Sequence, residues 1–66
     1  MQGAHDRRRS MERARHHLAR AESEVEAAQR FLDPMSDSEE EVALVRAVAN
    51  ARASISDALE TIRATS

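Results

Sequence analysis

The residues best suited to chemistry in this chain are three histidines, twelve acids and ten basic residues. His16 and His17 are adjacent, and Glu12 lies about one helical turn before His16. Neighbouring side chains on a helix diverge by about 100°, so His16 and His17 cannot comfortably bind one ion. We therefore predict no metal site.

Covalent catalysis requires a nucleophile activated by a neighbouring base, and the sequence offers no such arrangement. There is no cysteine, and every serine falls in a predicted turn or helix. Gly3 is the only glycine, so neither a nucleotide-binding P-loop nor a dinucleotide fingerprint can form. Glu22 and Glu26 lie one turn apart on a predicted solvated face, which does not prepare them for acid–base work. We predict a protein that is not an enzyme and has no catalytic residue and no cofactor.

The strongest chemical signal is the arginine content of the N-terminal end. All ten basic residues are arginine, and residues 5–20 contain six of them against two acids. Residues 21–41 reverse this balance, with eight acids against Arg30. Arginine forks suit phosphate groups, which makes nucleic acid a candidate partner, although the net charge of −2 argues against it. The candidate contacts are Arg7, Arg8, Arg9 and Arg13.

These side chains must be positioned by helices, because nothing in the sequence favours a sheet. Residues 10–32 contain no glycine, no proline and one β-branched residue, Val25, which predicts a first helix. The pair Asp33 and Pro34 should end it, since a proline disfavours helical geometry in the preceding residue and lacks a backbone donor.

A second helix is predicted over residues 37–64. Ser36 and Glu39 have the spacing of a capping box, and the acids near this start suit the helix dipole. Residues 1–9 are predicted to form a basic N-terminal arm that is either disordered or an extension of the first helix. Residues 10–66 form the predicted hairpin.

Both helices carry a heptad pattern, with positions a to g, in which large residues alternate with small ones. Position a holds Met11, Leu18, Val25 and Leu32 in the first helix, and Val48, Ile55 and Ile62 in the second. Position d holds Ala14, Ala21, Ala28, Leu44, Ala51 and Ala58. A hairpin in which paired residue numbers add up to about 69 sets large residues opposite alanines. We predict an all-α fold, a two-helix antiparallel hairpin with coiled-coil packing.

Self-association is expected because 66 residues bury little surface and no disulfide compensates. Four apolar residues lie beyond the predicted seam: Phe31, Val42, Val45 and Leu59. Two hairpins packed face to face would cover them in a four-helix bundle, and the charge polarity favours a head-to-tail homodimer. These residues would equally suit contact with a different protein, and the sequence does not separate the two uses.

The chain has no apolar run near the roughly 18 residues that span a membrane, and no secretory signal. We predict a cytoplasmic protein that does not bind membranes. The leading functional prediction is a small non-enzymatic protein–protein interaction module, an adaptor or regulator that acts as a homodimeric bundle. The alternative is a regulator that binds nucleic acid through its arginine-rich end.

Overall fold

The computed structural model describes residues 4–65, which fold into two packed helices. Helix α1 spans Ala4–Gln29 and helix α2 spans Glu39–Thr65, and residues 4–65 contain no strand. The molecule measures 57 × 16 × 15 Å. Its radius of gyration is 15.8 Å, whereas a globular chain of this length would have about 11 Å. The predicted all-helical hairpin is confirmed, and it is a rod.

Helix α1 begins before the predicted start at residue 10. Arginine is a good helix former, and Asp6 places a negative charge in the first turn, where the helix dipole favours it. Arg7, Arg8 and Arg9 therefore lie within the first turns of α1. The part of the predicted arm that covers residues 1–3 falls outside the described residues.

The end of α1 tightens before the chain reverses. The N–H groups of residues 30–32 donate to carbonyls three residues earlier, at 3.1 to 3.2 Å, which continues the winding as far as Leu32. Ser36 then donates its N–H to the Asp33 carbonyl at 3.1 Å. The Asp33 side chain accepts the Met35 N–H at 2.9 Å, which closes a turn around Pro34.

Helix α2 is capped by a different serine from the one predicted. The Ser38 hydroxyl accepts the N–H of Glu41 at 3.2 Å, so the N-cap is Ser38 and the predicted pairing of Ser36 with Glu39 is wrong. Ser36 instead accepts the Ser38 N–H at 3.0 Å. The Glu41 carboxylate accepts the N–H of Asp33 at 2.7 Å, so it ties the first turn of α2 to the turn that follows α1.

The seam between the helices consists of heptad positions a and e, which lie about 40° apart on a helix. The half-buried residues at these positions in α1 are Met11, Arg15, Leu18, Glu22, Val25 and Gln29. In α2 they are Glu41, Val45, Val48, Ile55, Leu59 and Ile62. Each helix therefore contributes one narrow stripe to the hairpin.

The predicted packing of alanines at position d is wrong for most of the seam. Ala14, Ala28 and Ala51 are exposed, and Leu44 keeps 50% of its surface exposed. In a two-helix hairpin each helix has a single partner helix, and the residues at position e are large enough to occupy that contact. Position d is consequently turned away from the seam.

The register of the hairpin also differs from the predicted one. Asp33 and Glu41, joined by a hydrogen bond, have numbers that add up to 74. The Arg52 guanidinium contacts the Glu26 carboxylate at 2.6 Å and the Gln29 side chain at 3.1 Å. Side chains lean toward the N-terminus of their helix, so Arg52 reaches toward the turn, which accounts for the higher sums of these pairs.

A register in which the numbers of facing residues add up to 73 to 74 also pairs half-buried residues with one another. It sets Leu18 opposite Ile55 and Val25 opposite Val48, so that large residues at position a face one another. The predicted sum of 69 would instead face Leu18 and Ile55 with Ala51 and Ala14, which the structure exposes. The helices are thus offset by about one turn from the predicted register.

The hairpin leaves its core unfinished. None of the side chains described in residues 6–65 is buried, and the apolar seam residues are all half-buried. Phe31 and Met35, beside the turn, are 88% and 86% exposed. The packing between α1 and α2 therefore leaves much of the apolar surface of this chain in water.

The Glu41 carboxylate predicts a pH dependence of stability. Its hydrogen bonds from the Asp33 N–H and Ser36 lower the pKa of Glu41 below the usual 4.5. The carboxylate thus stabilises the fold above pH 4.5, and this contribution is lost as the pH falls through the lowered pKa. Glu41→Gln should lower the melting temperature at neutral pH, measured by circular dichroism, and the difference from wild type should disappear at acidic pH, below the lowered pKa of Glu41.

The matched control is Glu40→Gln, which removes the same charge from the first turn of α2. No hydrogen bond to Asp33 is lost in this variant, so it should melt close to wild type. Equal losses in the two variants would mean that the helix dipole, and not the link to Asp33, explains the effect.

Candidate interaction surfaces

The four residues predicted to contact a protein do not share one exposed surface. Val45 and Leu59 occupy position e and are half-buried on the seam, and Val42 is half-buried beside it. Phe31 is almost fully exposed next to the turn. Only Phe31 therefore offers a large free apolar surface to a second molecule.

A second face on each helix, formed by positions d and g, is open. We call it the d/g face. In α2 it consists of Leu44, Ala47, Ala51, Ser54, Ala58 and Thr61, which carry no charge. In α1 it consists of Ser10, Ala14, His17, Ala21, Glu24 and Ala28, and Phe31 continues it just past the end of the helix. All of these are exposed except Ala21 and Ala58, which are half-buried.

The two d/g faces lie on the same side of the hairpin. On each helix, the centre of the d/g face lies about 110° around the axis from the centre of the a/e seam, in the same rotational sense. Because α1 and α2 run in opposite directions with their seams facing each other, equal rotations bring both d/g faces to one side. The hairpin thus has one broad surface lined mainly by small and apolar residues.

Sequence reasoning missed this surface because it assigned position d to the hairpin seam. A heptad pattern shows that a and d are apolar, but it does not reveal which neighbouring position completes the first contact. The size of the e residues in α2, Val45 and Leu59, was the available signal. Apolar residues at a, d and e on one helix are typical of a helix with two partners.

The predicted arginine contacts point in different directions. Arg7, Arg8 and Arg9 are consecutive, so each is rotated by about 100° from the next. Arg9 and Arg13 share a face, and the structure adds His16 and Arg20 to it. We call these four residues the arginine row: Arg9, Arg13, His16 and Arg20. All four are exposed, and they lie on the side of α1 away from both the seam and the d/g face.

One acid near the arginine row is occupied elsewhere. The Glu12 carboxylate forms a two-point contact with Arg15, at 3.2 Å to Nη2 and 3.4 Å to Nε. This hydrogen bond, with the charge of Arg15, lowers the pKa of Glu12. Arg15 lies on the seam side of Glu12, so the carboxylate is engaged away from the arginine row.

A shallow groove lies beside the first turn of α2. It is lined by Ser36, Asp37, Ser38, Glu39, Val42, Ala43 and Arg46. Its polar groups are the cap and charges that begin the helix, so their presence has a structural cause. Within the described part of the chain, no group of histidine and acidic side chains is arranged to hold a metal ion.

Comparison with known proteins gives no relative for this chain. No family model, no curated protein and no solved structure matches it. Neither of the two described helices is long and apolar enough to cross a membrane. The d/g face and the arginine row are therefore the features on which a function can be argued.

Proposed function

We propose that the chain is a small non-enzymatic interaction module whose working unit is a homodimeric four-helix bundle, formed through the d/g face. The observation that carries this proposal is the hairpin itself, which has an open uncharged face on α2 and no buried side chain among residues 6–65. A helix with two apolar faces about 110° apart suits a bundle in which each helix has two neighbours.

The size of the surface supports a second copy as its occupant. The d/g face of α1 runs from Ser10 to Phe31, about 32 Å, and the hairpin is 16 Å wide. About 500 Å² per protomer, or about 1,000 Å² in total, reaches the lower limit of specific interfaces. Small residues along this surface allow helix axes to approach closely.

The charge distribution favours a head-to-tail arrangement. Residues 5–20 carry six arginines, whereas residues 21–41 carry eight acids. A two-fold axis perpendicular to the helices sets the turns at opposite ends, which brings basic and acidic halves together. The same axis packs α1 against the partner's copy of α1 and α2 against its copy of α2, both antiparallel.

The sequence of the d/g face suits this two-fold axis. If α1 pairs with itself about Ala21, His17 of one protomer lies close to Glu24 of the other, and Ala14 lies opposite Ala28. If α2 pairs with the partner's α2 about a point midway between Ala51 and Ser54, residues that are small or uncharged again face one another in each layer. These two centres lie at the same level in a hairpin whose register adds up to 73 to 74, so one axis serves both helices.

The functional consequence is an adaptor or regulator that presents the outer faces of a rigid bundle. The d/g faces are covered in such a dimer, and the exposed positions b, c and f remain free for a further partner. Phe31 would pack over the N-terminal half of the partner's α1, and only Met35 would keep a large apolar surface in water beside the turn. The half-buried Val45 and Leu59 belong to the interior of the bundle in this arrangement, whereas Val42, at position b, stays beside the groove at the first turn of α2.

A charge placed on the d/g face should dissociate the dimer. Wild type should have a mass near 14.8 kDa, twice 7.4 kDa, by light scattering on a sizing column. Ala51→Glu should shift the mass to 7.4 kDa and weaken dimerisation by at least about 100-fold, since burying unpaired carboxylates costs several kcal/mol.

Ala53→Glu provides the control for this experiment. It makes the same substitution at an exposed f position on the outer side of α2, so the dimer should persist. A wild-type mass of 7.4 kDa at all concentrations would refute the homodimer. It would then favour a different protein as the partner of the d/g face.

A disulfide can test the orientation, because the natural chain has no cysteine. Ala21→Cys should form a symmetric intermolecular disulfide under oxidation, because the axis brings the two copies of this position together. Ala19→Cys, on an outer face, should not. Non-reducing electrophoresis of the two variants provides the measurement. A dimer that fails to cross-link through Ala21→Cys would contradict the proposed two-fold axis.

A further inference from the structure

We propose that the arginine row is a binding site for the phosphodiester backbone of nucleic acid, without readout of base sequence. The row consists of Arg9, Arg13, His16 and Arg20 on the outer side of α1. It does not depend on the dimer, because all four residues belong to one helix. The dimer would nevertheless leave the row accessible, since the row points away from both the seam and the d/g face.

The spacing of the row suits a line of phosphates. Its members recur every three or four residues, so they form a nearly straight stripe about 16 Å long on α1. Phosphates follow one another at about 3.4 Å along the axis of each strand of a duplex, so a stripe of this length faces several of them. A rigid helix holds the side chains in line before any ligand arrives.

The cations of the row are free to bind. No ion pair in residues 6–65 involves Arg9, Arg13 or Arg20, and all three are exposed. Glu12, an acid beside the row, forms an ion pair with Arg15. Two acids lie at the ends of the row: Asp6 is one turn before Arg9, and Glu24 is one turn after Arg20. The three arginines outnumber them, so the row keeps a local positive charge although the whole chain carries −2.

The chemistry of the row favours nucleic acid over a membrane. Guanidinium groups bind phosphate oxygens through two parallel hydrogen bonds, and arginine is the only cation here. Helices that lie on membranes combine such cations with a face of Trp, Phe or Leu that inserts among the lipids. The neighbours of the row on α1 are alanine, serine and charged residues, so this insertion has no anchor. The row has no asparagine or glutamine to read adenine, and the straight spacing of its three arginines matches a line of phosphates, so the proposal is contact with the backbone.

The test compares two triple variants with equal net charge. Arg9→Gln, Arg13→Gln and Arg20→Gln remove the row, whereas Arg30→Gln, Arg46→Gln and Arg63→Gln remove three arginines elsewhere. Both change the formal charge from −2 to −5. Glutamine keeps the helix propensity, and circular dichroism with light scattering checks that fold and assembly are unchanged. Binding is measured by fluorescence anisotropy on a short duplex DNA and a short duplex RNA over a range of salt concentrations.

Wild type and the control variant should bind with a salt dependence that the row variant lacks. Three phosphate contacts on DNA give a slope of about −2.7 in log affinity against log salt, or about a 40-fold loss between 50 and 200 mM. Binding to either duplex supports the site, and comparison of the two identifies which nucleic acid it prefers.

Three results would overturn the proposal. The first is that wild type binds neither duplex, and the second is that both triple variants lose affinity equally, which would indicate a response to net charge alone. The third is that wild type binds only anionic phosphatidylserine vesicles in a sedimentation assay, which would make the row a membrane contact. None of these results would affect the proposed dimer, which is tested by mass and cross-linking.

Discussion

The contact between positions a and e of the two helices is the constraint on which the rest of this structure depends. Two helices alone can cover only one stripe each, and the stripe that includes Val45 and Leu59 contains the larger side chains. Once that stripe is used, position d is left facing water on both helices. The open d/g face, the register and the orientation of the arginine row all follow from this choice of seam.

The turn adds a second constraint, because it sets the axial level at which the two helices meet. The Glu41 carboxylate accepts the Asp33 N–H, and this single bond holds the first turn of α2 against the turn that follows α1. At the other side of the seam, the pair between Arg52 and Glu26 is exposed, and such pairs contribute about 0 to 1 kcal/mol. The hydrogen bond in the turn and the apolar packing along position a thus indicate the same register.

The sequence was sufficient to predict the two helices but not to predict which of their faces pack together. The absence of glycine and proline in residues 10–32, and the pair Asp33 and Pro34, identified two helices and the turn, because these depend on local backbone preferences. The seam was predicted wrongly, since a and d apolar residues are compatible with several pairings. The cap at Ser38 was missed because two serines share the same spacing to an acid, and hydrogen bonds to the turn decide between them.

The arginines show the same limit in a functional setting. A tract of three consecutive arginines stands out in a sequence, yet on a helix its members diverge and cannot act on one surface together. Arg20 is distant from the tract in sequence but in line with Arg9 and Arg13 on α1. Placing the seam fixes which arginines are aligned on the outer side, so the candidate site could be recognised only after the inner face was known. A charged surface on a small helical protein is thus determined by the packing on its opposite side.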